Sequence, residues 1–175
     1  MKKIFIVVFS LVALSLSAQY SVKNRFQTTL GVGITNYGLP FHLGFEYGLF
    51  RDISLGFDFN YRYSKETFDQ YRIFGGHAKL NYHFNHLLNI YDERWDLYAG
   101  AYYNYWLVTN SIKKIEADSA NMGYGLQIGM HYFFSQRFAI NTEISGGRLN
   151  TDHYLRNESK TLGAFKIGLT YRFGR

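Results

Sequence analysis

A histidine and a serine fall on neighbouring predicted strands in the second half of the chain, and with an acid such a pair could form a hydrolytic site. If residues 135–137 close a tight turn, His131 lies opposite Asn141, and Gln127 lies opposite Ser145. His131 and Ser145 are then about four residues apart, which is roughly 13 Å along a strand. A nucleophile and its base must approach within about 3 Å. We therefore predict no catalytic site here, and assign these side chains to a hydrogen-bond network.

Three further histidines, His77, His83 and His86, lie close together in the sequence and could in principle hold a metal ion. His77 and His83 share one face of a predicted strand, but six residues separate them by about 20 Å, which is too far for a common metal. Asp152, His153 and Glu158 could bind a cation, although a solvated loop explains them more simply. We expect no metal and no other cofactor.

These side chains are positioned by segments in which oily and polar residues alternate. The clearest runs from Lys160 to Phe173, where residues of odd number are mostly apolar and the polar residues share the other face. A period of two is typical of a β-strand. The same alternation predicts eight strands, at residues 25–35, 41–49, 53–63, 71–84, 95–107, 122–134, 138–146 and 160–173. The fold class is therefore all-β.

Composition favours a membrane barrel over a soluble sandwich, which would show the same alternation with its oily face buried. Aromatic residues make up 19% of the chain, with 17 glycines and a single proline. Tyrosines gather towards strand ends, as in the aromatic girdle of a membrane barrel. After residue 18 there is no apolar run long enough for a spanning helix, so a closed barrel is the remaining way to cross a membrane. We predict an eight-stranded antiparallel up-and-down transmembrane β-barrel.

The N-terminus indicates export. Lys2 and Lys3 precede an apolar run that ends in small residues before Gln19, which is typical of a secretory signal peptide. We expect cleavage after residue 18, leaving residues 19–175 as the barrel domain. The absence of cysteine argues against a lipid anchor and a disulfide framework. Removing the two lysines lowers the formal charge from +6 to +4, and the basic residues are scattered, so we expect no nucleic-acid partner.

The inward faces of the predicted strands carry charges of both signs between glycines. Five basic residues, including Arg25, stand against four acidic ones, and a desolvated interior requires such pairing. The predicted lumen network consists of Glu46, Asp58, Arg62, His77, Lys79, Asp96, His131, Glu143, Lys166 and Arg172. Eight strands leave a bore that side chains can fill, so bulk diffusion through it is not expected.

Connections between the predicted strands alternate in length. Those at residues 50–52 and 135–137 are short, whereas those at 64–70, 108–121 and 147–159 are longer and polar. Residues 85–94 are long for a tight turn, and residues 36–40 are short for a long loop. In membrane barrels short turns face the periplasm and long loops face outside, which predicts periplasmic termini.

The end of the chain resembles the C-terminal signal of bacterial outer-membrane barrels. Lys166, Gly168, Tyr171 and Phe173 match its polar, glycine and spaced aromatic positions, with Gly174 and Arg175 as an addition. The chain is similar to small eight-stranded barrels of the OmpA/OmpX type, and the end of its leader looks like that of Bacteroidetes barrels. This resemblance implies insertion by the barrel-assembly machinery. It also implies outer-membrane lipids and lipopolysaccharide as partners and the Gram-negative outer membrane as location.

Some barrels of this size modify the acyl chains of lipid A, but the resemblance to the deacylases fails at their His-x-Ser-Asn motif. Here His131 is followed by Tyr132, Phe133 and Phe134. We expect a monomeric, non-enzymatic protein with a structural or surface-interaction role carried by its outer loops. The alternatives are a lipid-modifying enzyme, a small transporter and an accessory protein of a secretion complex.

Overall fold

The computed structural model describes residues 21–35, 39–65, 70–90, 92–110, 119–150 and 161–173. Eight strands account for most of them. They are β1 (Phe26–Thr35), β2 (Phe41–Gly48), β3 (Ile53–Lys65), β4 (Gln70–His83), β5 (Trp95–Asn110), β6 (Ser119–Phe133), β7 (Phe138–Asn150) and β8 (Thr161–Phe173). Nowhere in these ranges is there a helix with the length and hydropathy needed to cross a membrane.

Each strand pairs antiparallel with the next, and β1 pairs with β8 to close the sheet. The closing register runs from Phe26 opposite Phe173 to Thr35 opposite Ala164. A closed ring leaves no row of unpaired backbone groups. The predicted eight-stranded up-and-down barrel is thereby confirmed, and a soluble sandwich of two sheets is excluded.

The barrel has two distinct ends. The connections β2–β3, β4–β5 and β6–β7 lie at the end where β1 begins and β8 finishes, which we call the terminus end. The other four connections lie at the opposite end, the loop end. Residues 36–38, 66–69, 111–118 and 151–160, which contain most of the predicted outer loops together with Asp152, His153 and Glu158, fall outside the described residues.

The two faces of the sheet are inverted relative to a soluble protein. Large apolar side chains point away from the barrel axis and are exposed, among them Leu126 at 71%, Leu30 at 65% and Ile128 at 61%. The inward positions are mostly polar or charged and are buried. Burial of polar groups under an oily exterior is the arrangement of a transmembrane barrel.

Aromatic pairs ring the exterior near the terminus end. Phe26 of β1 lies 5.3 Å from Phe173 of β8, and Tyr171 lies 5.0 Å from Phe138 of β7, measured between ring centroids. On the other side of the ring, Trp95 lies 4.7 Å from Tyr132. Bands of this kind sit at the membrane interface, where rings meet both lipid and water.

Five strands extend further towards the loop end than predicted, β3 and β4 by one or two residues and three others by three or four. β5 continues to Asn110, β6 begins at Ser119 and β7 continues to Asn150. The predicted loop began at Gly147, yet Gly147 pairs with Gly125 of β6 and with Leu162 of β8. A Cβ atom on Gly147 would lie 2.6 Å from the Tyr102 hydroxyl, so glycine here makes room for a lumen side chain instead of ending the strand.

The long β4–β5 connection is ordered by one buried side chain. The Asn85 amide donates to the carbonyl of Trp95, and its oxygen accepts the Leu97 N–H at 2.9 Å. The Asn85 carbonyl accepts the N–H of Ile90 at 2.8 Å, and Asn89 adopts a left-handed conformation with φ of 52°. Asparagine tolerates that conformation better than most residues. The connection is therefore a compact closed turn.

Candidate functional site

Four charged side chains meet at the middle of the lumen, and we call them the central tetrad: Asp58 of β3, Lys79 of β4, Glu143 of β7 and Lys166 of β8. The Lys79 ammonium lies 2.9 Å from Asp58 Oδ1 and 3.7 Å from Glu143 Oε2. The Lys166 ammonium lies 3.0 Å from Asp58 Oδ2 and 3.0 Å from Glu143 Oε1. Each ion thus has two neighbours of opposite charge, which is the arrangement that compensates buried charges.

Glycines beneath the central tetrad allow its side chains to lie across the bore. A Cβ atom on Gly56 would stand 2.6 Å from Lys79 Cε, and one on Gly44 would stand 2.6 Å from Asp58 Oδ1. The cavity that remains beside the tetrad has a volume of about 10 Å³. That is about enough for a single water molecule. At this level the bore is filled by protein.

A second group lies nearer the terminus end, and we call it the histidine cluster: Glu46, Ser54, His83, Asp96 and His131. His83 Nδ1 lies 2.7 Å from Asp96 Oδ1, and His83 Nε2 lies 3.2 Å from Glu46 Oε1. His131 Nδ1 lies 3.3 Å from the other oxygen of Asp96. The Ser54 hydroxyl donates to Glu46 Oε1 at 2.7 Å.

The histidine cluster contains the connectivity of a hydrolytic triad. Ser54 Oγ lies 2.8 Å from His83 Nε2, while His83 Nδ1 meets Asp96. Two features oppose catalysis. Both ring nitrogens of His83 face carboxylate oxygens, so both serve as donors and neither is available as a base. Ser54 is also only 1% exposed, which leaves no approach for a substrate.

Neutral side chains extend both groups, and Tyr98 lies between them, with its ring centroid 5.2 Å from that of His131. Asn81 donates to Glu46 Oε2 at 3.2 Å and accepts from the Gln127 amide at 2.7 Å. The Tyr98 hydroxyl donates to Glu143 Oε2 at 3.1 Å. These bonds give the buried carboxylates of Glu46 and Glu143 additional hydrogen-bond partners.

The lumen between the central tetrad and the loop end is different. There His77 stacks on Tyr102 with 5.3 Å between the ring centroids, and the Trp106 ring is inclined to that of His77 by 72°. Among the described residues, this part of the lumen holds several buried polar atoms that lack a hydrogen-bond partner: His42 Nδ1, Asn60 Nδ2, His77 Nε2, Asn104 Nδ2, Asn104 Oδ1 and Trp106 Nε1. Internal water commonly satisfies such groups, so we expect this half of the lumen to be hydrated.

The structure brings together only part of the predicted lumen set, although every member is 8% exposed or less. Glu46, Asp58, Lys79, Asp96, His131, Glu143 and Lys166 belong to the central tetrad or the histidine cluster. His77 takes part in the aromatic stack, whereas Arg62 donates to Thr35 Oγ1 at 3.2 Å. Arg172 lies over the Phe133 ring, 3.5 Å from its centroid.

The residues of the C-terminal pattern divide between the two faces of β8. Lys166 and Gly168 point inward. Tyr171 and Phe173 point outward and belong to the band of aromatic side chains around the terminus end. Within the described residues, no group of three or more histidines or acids is arranged to hold a metal ion.

Sequence reasoning placed His131 opposite Asn141 and Gln127 opposite Ser145, and the β6–β7 pairing has this register. It missed Ser54 and Asn81 as lumen residues, and it missed the hydrogen bond of Tyr98 to Glu143. Their inward positions follow from the strand alternation, and that signal could have identified them. Which of them meet across the bore depends on the stagger of all eight strands, and one sequence does not specify it.

Comparison with known proteins agrees with this geometry. The model of the family described as outer membrane protein beta-barrel domain matches residues 6–173. Among solved structures, Neisserial surface protein A is similar at 12% identity with a TM-score of 0.63, covering 85% of this chain and 95% of that one. The N-terminal barrel domain of Pseudomonas aeruginosa OprF is similar at 13% identity and a TM-score of 0.61, over 86% and 98% of the two chains.

OprG from the same organism is similar at 11% identity and a TM-score of 0.61, over 91% of this chain and 100% of that one. At identities this low, the structural similarity shows a shared fold and nothing further. A search of curated proteins found no significant match. The family match spans the closed barrel almost entirely, and the chain therefore belongs to the outer membrane protein β-barrel domain family.

Proposed function

We propose that this protein is a plugged outer-membrane barrel that acts through the surface it presents, without conducting solutes and without catalysis. The observation that carries the proposal is that the central tetrad and the histidine cluster fill the bore, with a cavity of only about 10 Å³ beside them. Small polar side chains such as Ser54 and Asn81 fill the space between the ions. With the bore filled, the connections at the loop end are the surface left for a role outside the cell.

The proposal includes a route to the membrane. Residues 1–18 would direct export and be removed, and residues 19–175 would form the barrel. The pattern of Lys166, Gly168, Tyr171 and Phe173 in β8 would be recognised by the barrel-assembly machinery. The inserted protein would be a monomer surrounded by outer-membrane lipids and lipopolysaccharide, with both termini in the periplasm. The exposed apolar face of the barrel and its band of aromatic side chains support the insertion into a membrane.

Cysteine labelling on intact cells tests which end faces outside. The chain contains no cysteine, so a single introduced thiol gives an unambiguous signal. Ser111→Cys lies in the connection between β5 and β6, at the loop end. Gln136→Cys lies in the exposed turn between β6 and β7, at the terminus end. We expect a membrane-impermeant maleimide to label the first variant on intact cells and the second only after lysis. The reverse order of labelling would refute the proposed orientation.

The connectivity of Ser54, His83 and Asp96 makes lipid A modification the alternative to test. Mass spectrometry of lipid A from cells with and without the gene should give identical acyl patterns. A difference that depends on the gene would contradict the non-catalytic proposal. Ser54→Ala then tells whether the triad is responsible, since it removes the hydroxyl and leaves His83 between its two carboxylates.

A further inference from the structure

The lipid-facing surface has a broad depression centred on β3, β4 and β5, in the half of the barrel nearer the loop end. We call it the aromatic groove. Its volume is about 590 Å³, which falls within the range of small-molecule sites, about 300 to 1,000 Å³. Small residues of β4, Gly76 and Ala78, form its floor. Rings from the two flanking strands form its sides: Phe57, Phe59, Tyr61, Tyr103 and Tyr105.

The sequence of β4 creates this depression. Gly76 lies between Phe59 of β3 and Tyr105 of β5, and Ala78 is flanked by rings in the same way. β3 and β5 are two strand spacings apart, about 10 Å, so the two rows of rings leave a channel above the small residues between them. A Cβ atom on Gly76 would stand 2.9 Å from Phe57 Cζ, so the glycine lets that ring lie over β4.

A second apolar depression, the seam groove, lies beside the first, where β1 meets β2 and β8. Its volume is about 370 Å³, and its lining includes Val32, Ile34, Phe165 and Ile167. Phe41 of β2 lines both grooves and is 63% exposed, so its ring stands between them as a ridge. Two apolar grooves on either side of one ring suit separate chains of one branched lipid.

The surroundings of the grooves indicate which lipid fits them. Both grooves lie on the exposed apolar exterior of a barrel from an outer-membrane family, in the half nearer the loop end. With the loop end outside, this half lies in the outer leaflet, where lipopolysaccharide carries several acyl chains on a phosphorylated sugar. Tyrosine rings suit the level at which acyl chains meet a polar head group. Beyond the aromatic groove, the strand ends carry the basic residues Lys65 and Arg72, which complement phosphate in charge.

We propose that the aromatic groove and the seam groove together bind the acyl chains of one lipid A moiety of lipopolysaccharide, with chains on both sides of Phe41. The proposal goes beyond the plugged-barrel function by assigning a ligand to the outer wall of the barrel. Its choice of lipopolysaccharide over a phospholipid rests on the proposed orientation.

Native mass spectrometry of the folded barrel, stripped of lipid in neutral detergent, tests the proposal. Lipid A is titrated in one series, and phosphatidylglycerol, an anionic lipid with two acyl chains, in another. We expect saturation at one lipid A for each barrel. Phosphatidylglycerol should bind at least about tenfold more weakly, because fewer chains bury less apolar surface. Equal affinity for the two lipids, or a number of bound lipids that rises without saturation, would overturn the proposal.

One substitution made at two places distinguishes the grooves from general contact with lipid. Ala78→Phe fills the floor of the aromatic groove and should weaken lipid A binding about tenfold. Ala101→Phe adds the same ring at another exposed alanine, on β5 and outside both grooves, and should leave affinity nearly unchanged. A mobility difference between boiled and unboiled samples shows that each variant is folded. Equal effects of the two substitutions would refute binding in the grooves.

This experiment separates failure of the grooves from failure of the proposed orientation. In detergent neither end of the barrel faces a compartment, so lipid binding is measured independently of orientation. Reversed cysteine labelling on cells, together with selective lipid A binding, would refute the orientation and not the binding. The expected labelling without saturable lipid A binding would refute the grooves as a lipid A site and leave the orientation in place.

Discussion

At the residue scale, the lumen is organised by alternation of charge. In the central tetrad each carboxylate lies between two ammonium groups, and in the histidine cluster His83 lies between two carboxylates. Burial removes the water that would otherwise solvate these ions, so each depends on its protein partners. Removing one of these charges should therefore lower the free energy of unfolding more than removing a charge at the rim of the barrel.

Glu143→Ala should lower the free energy of unfolding substantially. It removes one of the two carboxylates that Lys166 contacts, and the 3.7 Å contact of Lys79 with it. Breaking a buried ion pair by removing one partner typically costs about 3 to 5 kcal/mol. Urea unfolding in detergent or lipid measures the change. The matched control is Glu93→Ala, an exposed acid at the mouth, which should have little effect. Equal changes in the two variants would show that the tetrad contributes nothing to stability.

At this scale, the sequence predicted which residues point inward but not which of them contact one another. It identified Asp58, Lys79, Glu143 and Lys166 as inward from the period of two alone. It could not tell that Asp58 meets both lysines, because Asp58 and Lys166 lie 108 residues apart in the chain. Such contacts depend on strand stagger and on which side chains the neighbouring glycines leave room for.

At the element scale, each strand has one face for lipid and one for the lumen. Leu126 occupies the middle of β6 and is 71% exposed, whereas the adjacent Gln127 is buried and donates to Asn81. The predicted strand bounds were closest at the terminus end, where tight turns delimit the strands. They fell short at the loop end, where the predicted loop after β7 began at Gly147 although the strand continues to Asn150.

Leu126→Arg should destabilise the barrel by about 2 to 4 kcal/mol, because it places a charge near the middle of the lipid-facing surface. Phe134→Arg is the control at the rim of the terminus end, where the charge can reach the aqueous interface and should cost about 0 to 1 kcal/mol. Urea unfolding in lipid vesicles compares the two. A larger loss for Phe134→Arg would place the membrane at a different height on the barrel.

Close packing of strand against lumen side chain makes some glycines irreplaceable. A Cβ atom on Gly31 would collide with the backbone of Ile167 and Gly168 and with the His42 ring. We expect Gly31→Ala to lower stability by about 1 to 3 kcal/mol, as overpacking of a filled interior does. Gly146→Ala is the matched control, since nothing lies within 4 Å of its Cβ position. Thermal unfolding, followed by gel mobility, measures the stability of both variants. Equal unfolding temperatures would contradict the packing account.

At the scale of the whole molecule, the features combine into a closed cylinder with an oily exterior, an ionic interior and two unlike ends. The closed sheet and its polar interior follow from alternation, length and composition, and the sequence predicted them. A cavity at the mouth of the terminus end was not predicted, because the arginines that line it come from separate parts of the chain: Arg25, Arg94, Arg137 and Arg172. Only closure of β1 on β8 brings these parts to one mouth.

The central claim is that side chains close the lumen, and single-channel recording from the folded protein in planar bilayers tests it most directly. A general porin added to the same bilayer establishes that insertion and detection work. With the central tetrad and the histidine cluster in place, we expect no steady current, because the cavity of about 10 Å³ beside the tetrad does not extend through the bore. Steady, large single-channel currents from the unmutated protein would contradict the plugged lumen and show that the barrel is a pore.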